Sequence, residues 1–176
     1  MHFLDDESQR LHKEYLNELR IKYSILEKEN EAIIGKSYEG LLRMPLKNAD
    51  REEALRSFCE IRLHELFFSS FCDTPFPAST IVKRQYKSEA ALLNLLFREG
   101  RKSGVGFLSI GIKGELVCPF ISCDVREHFK NGEPLLAIDL FEHAYFLDYY
   151  FRKEDYLKQA LTYLDLSLLD KKLKTT

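Results

Sequence analysis

The chain has 176 residues and a mass of 20.7 kDa, with 26 Lys and Arg set against 28 Asp and Glu, a net charge of −2. Its 45% hydrophobic and 31% charged content suits one globular unit, and no bulk charge points to nucleic acid or an anionic membrane as partner. No apolar run approaches the roughly 20 residues of a bilayer span, and MHFLDDESQR lacks a signal peptide's layout, so a cytoplasmic location is expected.

From Asp6 to Ile34 the sequence reads as one long helix, with Leu11, Tyr15, Leu19, Lys22, Ile25 and Leu26 on a mainly apolar stripe and Gly35 as its stop. Asp5, Asp6, Glu7 and Ser8 form an acidic, cap-competent start that suits the helix dipole. Gly40 to Asn48 reads as a connection. Asp50 then resembles an N-cap, with Glu53 completing a capping-box pattern, for a second helix running to Phe71. Asp73-Thr74-Pro75-Phe76-Pro77 breaks that helix and sets a boundary between an N-terminal helical hairpin (1–72) and a C-terminal α+β domain (73–176).

Ser88 caps a further helix to Gly100, with Leu92, Leu93, Leu95, Leu96 and Phe97 on its buried face. Gly104 to Ile112 and Glu115 to Ile121 read as strands around a Lys113-Gly114 turn. Leu135 to Asp139 is a short apolar run leading into helices that continue to Leu173. Helices, then strands, then helices make the class α+β rather than alternating βαβ. Cys59, Cys72, Cys118 and Cys123 are too few and scattered for a disulfide framework and read as free thiols.

Asp139 and His143 place a carboxylate and an imidazole four positions apart, able to converge on one point where a strand end turns into a helix. The apolar run before Asp139 would bury its charge, and a buried charge needs a partner or a metal. His64 lies among apolar neighbours on the second helix. Either feature alone is common, the bland reading of His64 being a satisfied core histidine.

The stretch from Glu133 to Tyr156, EPLLAIDLFEHAYFLDYYFRKEDY, resembles the D-x-W-E-H-A-Y signature of the iron/manganese superoxide dismutases. Leu63 to Phe68 resembles that family's N-H-x-x-[FY]-W segment, and KSGVGFLSIGIKGELV, from Lys102 to Val117, its strand pair. His12 to Leu19 resembles the H-x-x-Y-V-x-x-L of its first helix. The resemblance implies a dismutase-like fold with the metal between its two parts, and one iron or manganese per chain. It places His64, Asp139 and His143 on three ligand positions, Tyr15 on a solvent-ordering gateway tyrosine, and Glu142 on a glutamate that reaches across a homodimer interface. Two imidazoles and a carboxylate suit either metal.

The resemblance implies a fourth ligand eight residues before the tyrosine, where this chain has Glu7. Glu7 can offer an oxygen or merely favour the first turn; His12 is the alternative, at the expense of the Tyr15 match. The two family positions for a glutamine that bonds metal-bound solvent fall on Glu60 and Cys123, which take its outer-sphere catalytic place. Cys123 is in turn a thiolate ligand, an oxidation-sensitive thiol or an ordinary buried cysteine. The family's tryptophans are replaced by Phe68, Val105, Phe107 and Phe141, and a cross-dimer His–Tyr pair by Leu11 and Phe146. Two functions follow: an oxidoreductase converting superoxide to oxygen and hydrogen peroxide, or a non-catalytic binding or structural protein on the same fold, such as a subunit of a larger assembly. A di-iron site is not indicated, because Glu60–His64 and Asp139–His143 do not supply Glu-x-x-His pairs.

Overall fold

In the computed structural model, which describes residues 3–73, 79–130 and 132–173, Asp5 opens the first helix by accepting a hydrogen bond from Ser8 N at 2.7 Å. That helix, α1, spans Asp6–Glu29, and a single 3-10 turn at Glu31–Ile33 follows before Gly35 reverses the chain at φ 67°. Its buried face carries Ser8, His12, Leu16 and Leu19, whereas Leu11 and Ile25 are exposed. The apolar stripe expected from sequence is therefore rotated, and the true one includes a histidine that a hydrophobicity count passes over.

A short helix, α2 (Tyr38–Leu42), occupies part of the expected connection. The long α3 covers Asn48–Ser69 and starts three residues earlier than an Asp50 cap implies; Asp50 lies in its first turn, where a negative charge still suits the dipole. Leu55, Cys59, Leu63 and Phe67, four residues apart, form a fully inward row. The expected proline break falls mainly on residues 74–78, outside the described residues. Beyond it, Ser79 caps α4 (Thr80–Tyr86), which sequence reading did not anticipate, and Ser88 caps α5 (Glu89–Lys102) as expected.

Three antiparallel strands form the sheet in the order β2-β1-β3: β1 Phe107–Lys113, β2 Leu116–Ser122 and β3 Pro134–Asp139. The β1–β2 hairpin turns at Gly114, φ 60°. Gly106, at φ 129°, lets the start of β1 approach the end of β2 so closely that a Cβ there would lie 2.3 Å from Ser122 O. Between β2 and β3 stands a single turn, α6 (Glu127–Lys130). After a 3-10 turn at Glu142–Ala144 come α7 (Phe146–Tyr149), α8 (Lys153–Tyr163) and α9 (Ser167–Leu173). A helical chain around one small antiparallel sheet is the α+β class expected.

Strand alternation separates two cores. Leu108, Ile110, Leu136 and Ile138 pack with Phe67, Leu92 and Leu96, while Phe107 and Ala137 pack with Leu41, Leu55 and Leu63. Asp139 follows Ala137 by two and so faces the second side, paired in register with Phe107. Ser70 fastens α3 to β3, its Oγ accepting from Ala137 N at 2.8 Å while its carbonyl accepts from Asp165 N. No helix among the described residues is long and apolar enough to cross a membrane.

Candidate metal centre

α1, α3 and the end of β3 converge on four side chains: His12, His64, Asp139 and His143. One donor atom from each lies within 4.8 Å of all the others. Asp139 Oδ2 is the hub, 3.2 Å from His12 Nε2, 3.5 Å from His64 Nε2 and 2.9 Å from His143 Nε2. The side chains of His12 and Asp139 are fully buried, and His143, 38% exposed, forms the outer edge.

The hydrogen bonds leave those donor atoms aimed inward. His64 Nδ1 lies 2.8 Å from Glu60 O, one helical turn back, and donates its proton there, which leaves Nε2 as a lone pair. Asp139 Oδ1 accepts from Phe141 N at 2.8 Å, and the Asp139 carbonyl accepts from Tyr156 Oη at 2.7 Å, so the carboxylate is held at a fixed angle. Asp139 Oδ2 and both ring nitrogens of His12 are buried without a directed hydrogen bond, although 3.2 Å separates Oδ2 from Nε2. Buried polar atoms left in that state cost about 1–3 kcal/mol each unless something satisfies them. A divalent or trivalent cation bound by three imidazoles and one carboxylate would satisfy Asp139 Oδ2 and one ring nitrogen of His12, and the donor set fits iron or manganese.

Local charge follows the same logic. Burial opposes ionisation of Asp139, yet the imidazoles of His12, His143 and His64 close around it hold its carboxyl well below the usual carboxylate range. Burial pushes His64 down despite Asp139, keeping it neutral and ligand-ready. For His143 burial acts in the same sense, but the Asp139 carboxylate 2.9 Å away overcomes it and raises the imidazole. A metal would compete with that proton.

The first-helix assignment needs correction. Glu7 lies on the surface, paired with Arg10 at 2.7 Å, and is not among the converging side chains; His12 takes the place at the cluster. Five residues turn a helix by roughly 140° beyond a full circle, so the two cannot share a face. Nor does His12 exclude Tyr15: three residues apart, both face the site. The Tyr15 ring lies 4.9 Å from that of His143, and its hydroxyl donates to Glu60 Oε1 at 2.8 Å. Burial, then that carboxylate, raises the phenol above its ordinary range.

A cavity of about 450 Å³ opens over His64 and His143, with Tyr15, Glu60 and Cys123 in its walls. Cys123 is exposed there rather than buried. Two arginines that sequence reading missed, Arg56 and Arg126, also line it. Arg56 was legible as the next member of the 56-60-64 row on α3; Arg126 reaches the cavity from the turn before α6 and left no sequence signal. Phe141, in the cavity wall, stacks on His143 at 5.8 Å, and Phe107 packs edge-on against His64 at 5.1 Å from the core behind it. Glu142 is exposed on the turn beside the site, close to exposed Phe146 and Leu147.

Comparison with known proteins agrees with this arrangement. The family model for the iron/manganese superoxide dismutases, C-terminal domain, matches residues 78–172, more than half of the chain. The chain is also similar to an iron superoxide dismutase of Bacteroides fragilis (strain YCH46), 28% identical over 162 residues that cover 82% of this chain and 80% of the relative.

Proposed function

Because the chain belongs to the iron/manganese superoxide dismutase family, we propose that it is a divergent member that binds one iron or manganese ion per chain and converts superoxide to oxygen and hydrogen peroxide. The observation that carries this reading is the cluster of His12, His64, Asp139 and His143 around a buried, unsatisfied Asp139 Oδ2. A bound iron or manganese supplies reversible one-electron chemistry. His64 presents Nε2 in a tautomer fixed by Glu60 O, and Asp139 is oriented by Phe141 N. Tyr15 holds a proton at Oη, shared with Glu60, at the wall of the cavity through which substrate and product pass. Raised as it is, that phenol keeps its proton in the working pH range and serves to orient solvent. Glu60 and Cys123 flank the same cavity as this chain's outer-sphere groups, and Phe107 and Phe141 limit the entry of water.

A homodimer fits the surface beside Glu142. Phe146 makes ring contacts with both Tyr150 and Phe151, and Phe151 is 85% exposed. Leu11 and Phe146, replacing the family's polar pair, are both exposed apolar side chains that a second copy would cover without leaving a buried donor unpaired.

The test is the metal content of protein purified without added metal, by mass spectrometry, with superoxide removal assayed on the same sample. Near one iron or manganese per chain, absent from His64→Ala, together with superoxide removal, is the expected result. Failure to take up either metal, even on refolding with both, would remove the enzymatic reading and leave a dismutase fold kept for binding.

A further inference from the structure

The cavity over the cluster of His12, His64, Asp139 and His143 is much larger than a diatomic substrate requires. It holds about 450 Å³, against the roughly 30 Å³ that one water takes up in the liquid, and falls within the range typical of sites for small organic ligands. A second hollow, sharing Tyr15, Arg56, Glu60 and Arg126, continues it along α3 toward solvent.

The charges along this cleft are unequally engaged. Arg126 is held by both oxygens of Asp124, at 3.1 and 2.9 Å, and by Glu52. Glu60 already accepts the Tyr15 hydroxyl. Arg56 is exposed, two turns before His64 on α3, and makes no ion pair among the described residues. One open guanidinium fork matches a carboxylate, which it can bind through two parallel hydrogen bonds, better than a phosphate dianion, which calls for more donors. Val125 and Phe141 form an apolar stretch of wall in the same cavity. The two bonded carboxylates, Asp124 and Glu60, leave Arg56 as the place where an incoming anion gains rather than exchanges a partner.

We propose that this cleft binds a small organic carboxylate, its anionic end paired with Arg56 and its apolar body against Val125 and Phe141. The site deepens the reading of the cleft as the approach to the metal centre, and rests on that reading for its place, but its recognition elements belong to the protein alone. Such a ligand regulates access to His64 and His143 by occupying the cavity that both of them line.

Benzoate is the probe, titrated by calorimetry into the protein as purified, with metal content measured on every sample. One saturable benzoate per chain is expected, weakened at least tenfold in Arg56→Gln, partly restored in Arg56→Lys, with metal content equal in all three. Absence of saturable binding to the wild type overturns the proposal. So does equal affinity in Arg56→Gln, or displacement by chloride at the same concentration as benzoate, which would indicate a site for any small anion. Loss of metal from every sample while benzoate still binds through Arg56 would count against the metal reading and leave this site standing.

Discussion

Replacing His12 by leucine separates the two first-helix assignments. The imidazole of His12 is fully buried and neither nitrogen makes a directed hydrogen bond; its removal takes from Asp139 Oδ2 an imidazole 3.2 Å away, a cost common to scans with and without metal. The metal-bound protein, by contrast, loses a ligand. Outer-sphere partners alone are worth about 10–100-fold in metal affinity, so loss of a direct ligand is expected to cost at least about 100-fold, roughly 2.8 kcal/mol. With manganese supplied at about 100 times its dissociation constant, the wild type gains about 2.7 kcal/mol; the variant, now near its own constant, gains about 0.4 kcal/mol. For a chain of this length one kcal/mol moves the melting temperature by about 2–4 °C. Calorimetric scans with and without manganese should then show a rise of about 5–11 °C in the wild type and about 1–2 °C in His12→Leu. Glu7→Gln should behave as wild type, because Glu7 pairs with Arg10 at the surface. Equal rises in wild type and His12→Leu, or a rise lost in Glu7→Gln, would refute the assignment of His12.

Other outcomes follow from single contacts. Glu60→Gln keeps an acceptor for the Tyr15 hydroxyl but removes a negative charge from the cavity wall; the metal's reduction potential should rise, and a spectroelectrochemical titration showing no change or a fall would count against Glu60 acting on the metal. Gly106→Ala places a Cβ against Ser122 O at a positive φ and should cost about 2–3 kcal/mol in urea unfolding; a cost under about 0.5 kcal/mol would show that the β1–β2 approach is not so tight. His128 is buried, with Ser109 Oγ 2.6 Å from Nδ1 and Ser122 O 3.1 Å from Nε2, and burial lowers its basicity. Since its folded pKa lies below the unfolded value near 6.5, stability of the metal-free protein should fall as pH drops below about 6.5. His64 shares that sign and His143 opposes it, so the slope should shrink, not vanish, in His128→Gln; an unchanged slope would clear His128 of the effect.

Much of the plan was legible in the residues. Helix α5 is capped by Ser88, the β1–β2 hairpin turns at Gly114, and the apolar run into Asp139 is a strand, because caps, turns and strand periodicity are local devices. Asp139 and His143 were readable as a pair for the same reason. α4 was not foreseen, because seven residues between a proline-rich stretch and a capped helix carry too little periodicity to stand out.

What only the tertiary structure decided is which face of α1 turns inward. Counting apolar side chains favoured a stripe through Leu11 and Ile25, yet those remain exposed, and His12 lies inside against Phe67 at 4.7 Å. A helix reads its own periodicity, but the partner it packs against sets its rotation, and here that partner, α3, brings His64 to the same point. Arg56 and Arg126 share a cavity for a similar reason: they come from distant segments that meet only when the turn before α6 folds over α3. The sequence by itself determined the chemistry available and the local elements that hold it; long-range packing determined which of those groups converge.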